Sequence, residues 1–174
     1  MRWFKLFDEI IVNAADNRQR DASMSRIDVS VSTDDPTMPV ITIRNDGKGI
    51  PVAMHSTEKI YIPELIFGHL MTGSNFDDSQ KKVTGGRHGY GAKLANILSH
   101  FFEVETYDAS RGLHYRQRWD KNMSVKGAPE VTEGTPGMKD YTQVTFAPDL
   151  ARFNTATPAA AASGEARTSE AAFA

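Results

Sequence analysis

The residues best suited to chemistry fall in three places. From Thr84 to Lys93 the chain reads Thr-Gly-Gly-Arg-His-Gly-Tyr-Gly-Ala-Lys, and Leu94, Ile97, Leu98 and Phe101 then recur at helical spacing. Glycines let a backbone approach a ligand closely, and a helix N-terminus offers unpaired N–H groups with a partial positive charge. Gly86, Arg87, His88, Gly89, Tyr90, Gly91 and Ala92 therefore form a candidate phosphate cradle, to which Lys93 adds a full charge. A purely structural turn has the same composition. The P-loop pattern requires Ser or Thr directly after its Gly-Lys, and the dinucleotide fingerprint requires a glycine where Leu94 stands, so a nucleotide loop here is of another class.

The second place lies near the start. Glu9 and Asn13 are one helical turn apart, so a carboxylate and an amide oxygen face one small volume; the first suits a general base for a water, the second a hard cation such as Mg²⁺. The third is Asn45-Asp46-Gly47-Lys48-Gly49-Ile50-Pro51, a glycine-permitted turn after a strand. An Asn oxygen at a strand end can accept from the exocyclic amine of adenine while the glycines let a ring lie against the backbone.

These residues must be held by regular elements. Residues 3–20 predict an amphipathic helix with Phe4, Phe7, Ile11 and Ala14 inward and Glu9, Asn13, Asp16, Asn17 and Arg20 outward. Asn and Asp compete with the backbone for hydrogen bonds and are poor choices for a merely solvated helix face, so that face reads as functional. Alternation predicts strands at Ile27–Val31 and Ile41–Ile43, then at Glu103–Tyr107, Leu113–Trp119 and Tyr141–Phe146. In Leu113–Trp119, Leu113, Tyr115, Gln117 and Trp119 share one side. Residues 52–71 carry a short helix with Pro63 near its start and Leu65, Ile66 and Leu70 inward, 72–86 a polar candidate lid, 90–102 a helix, and 121–139 a loop. The order predicts an α/β two-layer sandwich with a mixed, largely antiparallel sheet and helices on one face.

Composition bounds the partners. The 174-residue chain has a formal net charge of -2, 40% hydrophobic and 24% charged residues, no Cys and five scattered His. No basic run marks a nucleic-acid surface, thiolate metal sites are excluded, and no apolar run reaches membrane-spanning length, which fits an intracellular protein. From Thr155 onward the composition shifts to Ala, Thr, Ser, Gly and Glu, so 155–174 read as a low-complexity, disordered tail after a domain at 1–154.

Three motifs in this order resemble the GHKL (Bergerat) nucleotide fold shared by gyrase, the heat-shock chaperone, mismatch-repair ATPases and histidine kinases. Phe7 to Asn17, Gly47 to Pro51, Leu65 to Gly68, Lys81 to Arg87 and Phe146 to Leu150 are similar, closer still, to the N-terminal ATPase domain of eukaryotic DNA topoisomerase II, over residues 3 to about 153. The resemblance implies ATP and Mg²⁺ as ligands. It casts Glu9 as the base that activates the hydrolytic water, Asn13 as the Mg²⁺ ligand, Asn45 as the reader of the adenine amine with Thr142 in support, and Asn17 near the ribose and phosphates. Ser74 and Asn75 would reach the nucleotide from the lid, and Gly86 to Lys93 would wrap the triphosphate, with Lys93 also serving catalysis.

The same resemblance implies a homodimer, DNA handled through other domains, and a nuclear or organellar setting. Gly73 stands for the family's usual Ser, His88 for its usual Asn and Asp46 for a common Asn. No counterpart is visible for the segment that precedes Trp3 and crosses to the partner subunit, for the closing helix and strand after Phe153, or for the transducer and DNA-cleavage parts. Two readings follow: the Mg·ATP-hydrolysing module of a type II topoisomerase, or a nucleotide-binding remnant without turnover.

Overall fold

The computed structural model describes residues 4–69, 90–135 and 137–153. In chain order they form α1 (Phe4–Arg20), β1 (Ile27–Ser32), β2 (Val40–Asp46), α2 (Ile62–Phe67), α3 (Tyr90–Ile97), β3 (Ser99–Asp108), β4 (Leu113–Asp120), β5 (Val125–Lys126), β6 (Glu130–Glu133) and β7 (Tyr141–Pro148), followed by a single 3-10 turn, Leu150–Arg152. The strands make one seven-stranded sheet in the order β1-β2-β7-β3-β4-β5, with β6 also on β4. Every strand pairing among the described residues is antiparallel. The helices cover one face, so the two-layer sandwich expected from the sequence is the observed architecture.

Register explains the core. On the helix-covered face, Ile41, Phe146, Phe102 and Trp119 line up across β2, β7, β3 and β4, and the next row is Ile43, Val144, Val104 and Gln117. Phe102 is fully buried, its ring 5.9 Å from Phe67, 6.0 Å from Phe146 and 6.4 Å from Trp119. Each such side chain contributes about 1.5–3 kcal/mol through the apolar surface it removes from water. Leu6, Ile10 and Ala14 of α1 and Ala92 and Ala95 of α3 lie over these rows. The small alanines and Gly91 let the two helices approach closely.

Several local expectations shift. Helix α1 turns Leu6, Ile10 and Ala14 fully inward, while Phe7 and Ile11 flank them and Phe4 is exposed; the apolar stripe is wide, and its centre meets the sheet. Helix α2 spans only Ile62–Phe67 and buries Pro63, Glu64 and Phe67 where Leu65 and Ile66 were expected inward; Leu70 lies outside the described residues. Glu64 is tolerated there because Lys126 Nζ donates to it at 2.8 Å. A Cβ on Gly68, which follows α2, would come within 2.1 Å of the Trp119 ring, so this chain exit admits only glycine.

Helix α3 ends at Ile97, well before residue 102: the Ser99 hydroxyl donates to the Ala95 carbonyl, Asp149 N–H bonds to the Leu98 carbonyl, and Phe101 already belongs to β3. Leu94, the first of the apolar residues at helical spacing, is exposed. The 121–139 loop contains β5 and β6, short edge strands that tertiary pairing to β4 creates. Strand β1 alternates as expected, yet its apolar side is open: Val29 and Val31 are 44% and 57% exposed, lining an apolar groove with Phe4, Phe7, Pro39 and Ile41. The expected lid at 72–86 and the tail both lie outside the described residues.

Candidate functional site

At one end of the sheet the apolar rows give way to polar groups. The third row on the helix-covered face is Asn45, Thr142, Thr106 and Tyr115. Four polar side chains in line on a face that is, Gln117 apart, apolar core need a reason beyond packing, because buried polar groups cost free energy unless hydrogen-bonded. The elements converging on this end are the outer half of α1, the turn after β2 and the start of α3.

Glu9 and Gly91 define the junction of the two helices. A Cβ built on Gly91 would stand 1.9 Å from Glu9 Oε2, so the carboxylate rests directly on the first turn of α3. A helix N-terminus favours negative charge, and here it faces both this carboxylate and whatever anion approaches beside it. Asn13, one turn along α1, is exposed on the same side, and Asn17, half-buried, donates from Nδ2 to the Lys48 carbonyl at 3.2 Å. That bond ties α1 to the turn after β2. Lys93 is buried in α3, two residues beyond Gly91; Tyr90 opens the helix, and Ala92 faces the core. Asn45 is only 5% exposed and fixes its own amide by donating from Nδ2 to the Asp46 carbonyl at 2.8 Å, which leaves Oδ1 as the end directed away from that bond. Ser74, Asn75, Gly86, Arg87, His88 and Gly89 lie outside the described residues.

The turn's composition was read from the sequence, but the partners that hold it, Asp21, Thr106 and Asp108, were not. Asp21, just past α1, accepts from Ser23 N and Oγ and from Lys48 N at 2.6 Å. Asp46 faces away from the polar row, accepting from Ser25 N, Ser25 Oγ and Arg26 N. Across the gap, Ile50 N donates to Thr106 Oγ1 at 2.9 Å and Val52 N to Asp108 Oδ2 at 3.0 Å. Gly47 adopts φ +83°, and a Cβ on Gly49 would reach 2.0 Å from the Tyr107 carbonyl. Short Asp residues after a helix and at a strand end were the available signal, since both positions favour side-chain to backbone hydrogen bonds.

These carboxylates make the turn acid-sensitive. The Ser23 hydroxyl, followed by the N–H groups of Ser23 and Lys48, holds Asp21 below the usual range; the Ser25 hydroxyl, then Ser25 and Arg26 N–H, does the same for Asp46. Burial pushes Asp108 up, but Ser110, Val52 N–H and Arg111 outweigh it and leave it lowered. A folded pKa below the unfolded one stabilises fully above the unfolded value of about 4 and is lost as pH falls through the folded value. The melting temperature is therefore expected to fall below about pH 4. In Asp46→Asn that fall should be shallower when followed by circular dichroism, and an unchanged acid slope would remove Asp46 from this role.

Comparison with known proteins bears on the same arrangement. The family model for histidine kinase-, DNA gyrase B-, and HSP90-like ATPases matches residues 1–151. This chain belongs to that ATPase family. It is 59% identical over 150 residues to DNA topoisomerase 2 of Candida glabrata, covering 86% of this chain and 10% of that protein. It is 54% identical over 149 residues to the mitochondrial DNA topoisomerase 2 of Dictyostelium discoideum, covering 86% and 11%. The fold superposes on the crystal structure of the ATPase region of Saccharomyces cerevisiae topoisomerase II with a TM-score of 0.77 at 57% identity, covering 86% of this chain and 39% of that one. The chain thus spans about a tenth of the length of its curated relatives.

Within this GHKL-type ATPase domain, no group of three or more His, Asp or Glu among the described residues gathers to hold a metal. A Mg²⁺ site needs no such cluster, because this ion usually keeps its waters and takes one or two protein oxygens plus substrate phosphates. Asn13, exposed on α1, offers one such oxygen.

Proposed function

We propose that this chain is the Mg·ATP-binding and hydrolysing module of a type II DNA topoisomerase, whose strand passage on DNA requires further domains and a homodimer. The observations that carry the reading are the contact of the Glu9 carboxylate with α3 at Gly91 and the polar row that begins with Asn45. In this reading Asn45 Oδ1 accepts from the adenine amine, supported by Thr142, and Asn17 borders the ribose and phosphates. Asn13 would hold Mg²⁺, which would supply positive charge to offset that of the phosphates. Ser74 and Asn75 approach from the lid. Gly86 to Ala92 and Lys93 surround the triphosphate with N–H groups and positive charge, and Lys93 offsets the charge that develops on it. Glu9 orients a water for in-line attack and takes its proton.

Phosphoryl transfer needs positioning and charge stabilisation above all, which this set supplies. A nuclear location, or an organellar one as for the mitochondrial relative, accompanies the topoisomerase assignment. Asn13→Ala tests the ligand set. Binding of a non-hydrolysable ATP analogue, measured by calorimetry, should weaken about tenfold or more with Mg²⁺ present and stay near the parent value in EDTA, in line with the cost of disturbing a metal's surroundings. Unchanged affinity with Mg²⁺ would remove Asn13 from the metal.

A further inference from the structure

Thr106 lies on β3 behind Thr142, fully buried, and its hydroxyl meets three groups. It donates to the Tyr141 carbonyl at 2.8 Å, accepts from Ile50 N at 2.9 Å, and stands 3.3 Å from Thr142 Oγ1. A hydroxyl has one proton and two lone pairs. Since the Thr106 proton is committed to Tyr141 and one lone pair to Ile50, the remaining lone pair can only accept, so in the bond between the two threonines Thr142 is the donor. Its own lone pairs then face the other way. Asn45, cross-strand neighbour of Thr142, likewise has its donating end committed to the Asp46 carbonyl.

Resting on the nucleotide-binding reading above, we propose that Thr106 sets base specificity without touching the base. By accepting the Thr142 hydrogen bond it leaves Thr142 only lone pairs to offer, and by accepting from Ile50 N it fixes the turn beside it. Two aligned acceptors, Asn45 Oδ1 and Thr142 Oγ1, match the exocyclic amine of adenine and oppose the carbonyl that guanine carries at the same ring position. Discrimination built on leaving polar groups unpaired is stronger than discrimination by shape. Removing the Thr106 hydroxyl lets Thr142 rotate and donate, so guanine becomes tolerable.

The test is calorimetric titration of the full chain with non-hydrolysable ATP and GTP analogues and with inorganic tripolyphosphate, all with Mg²⁺. The parent should prefer the adenine analogue. Thr106→Val should lower that preference about tenfold while leaving tripolyphosphate affinity unchanged, as expected for the loss of one hydrogen-bond discrimination. Thr106→Ser, which keeps the hydroxyl, should restore the parent ratio, whereas a merely packing role would be kept better by the isosteric valine. Should Thr106→Val fail to fold, Thr142→Val must show the same loss of preference, and the parent ratio in it overturns the proposal. A parent ratio in folded Thr106→Val, or an equal loss for all three ligands, also overturns it. Parent chain that binds none of the ligands contradicts the nucleotide-binding reading itself, and this inference with it.

Discussion

Glu9→Gln is expected to lower ATP turnover by about 10²–10⁴-fold, the usual contribution of a positioned general base. Binding of Mg·ATP should be retained. Glutamine has nearly the shape of glutamate and can occupy the same position over Gly91, so the contact between α1 and α3 survives while the proton acceptor is lost. Phosphate release from the purified chain, with calorimetry alongside, separates the two quantities. Equal turnover in parent and variant would exclude Glu9 as the base, and loss of binding together with turnover would make its charge part of nucleotide binding rather than of the hydrolytic step.

Gly91→Ala probes the same contact from the other side. An added Cβ would lie 1.9 Å from Glu9 Oε2 and 2.7 Å from its Cδ, but 3.1 Å from its Cβ, so the flexible end of the glutamate yields before the helix does. The variant should fold and melt close to the parent, because alanine also favours a helix more than glycine. Its carboxylate is displaced by roughly an ångström, and misplacement of that size costs about 10²-fold in rate. Turnover at the parent level with an unchanged melting temperature would show that the carboxylate position over α3 does not matter to hydrolysis.

The helix α1 was legible from the helical spacing of Phe4, Phe7, Ile11 and Ala14, and its polar side stood out because it carries Asn and Asp, residues a solvated helix face has little reason to use. Which half of its wide apolar stripe meets the sheet was not, since Leu6 and Ile10 take the centre only once the sheet and α3 are in place. The alternation of β4 was fully legible: Tyr115, Gln117 and Trp119 are all buried on one side. The end of α3 was hidden because Leu98 and Phe101 remain apolar as the chain passes from helix to strand, and the period changes without a break in hydrophobicity. Strands β5 and β6 owe their conformation to pairing with β4, which no local pattern encodes.

At the site, Glu9, Asn13 and Asn45 stood out by residue type and spacing. Thr106 did not, because a threonine in a strand is an ordinary β-branched residue. Its importance lies in partners far away in sequence, Ile50 and Tyr141.

The central claim, a folded Mg·ATP site where α1, the turn after β2 and α3 meet, is tested most directly by thermal unfolding of the full chain with and without Mg²⁺ and a non-hydrolysable ATP analogue. Ligand that binds only the native state, at about a hundred times its Kd, stabilises by about 2.7 kcal/mol, or roughly 5–10 °C for a domain of this size. The account predicts a cooperative transition that moves upward by that order with both Mg²⁺ and nucleotide present. A cooperative transition that stays in place at saturating ligand would contradict it.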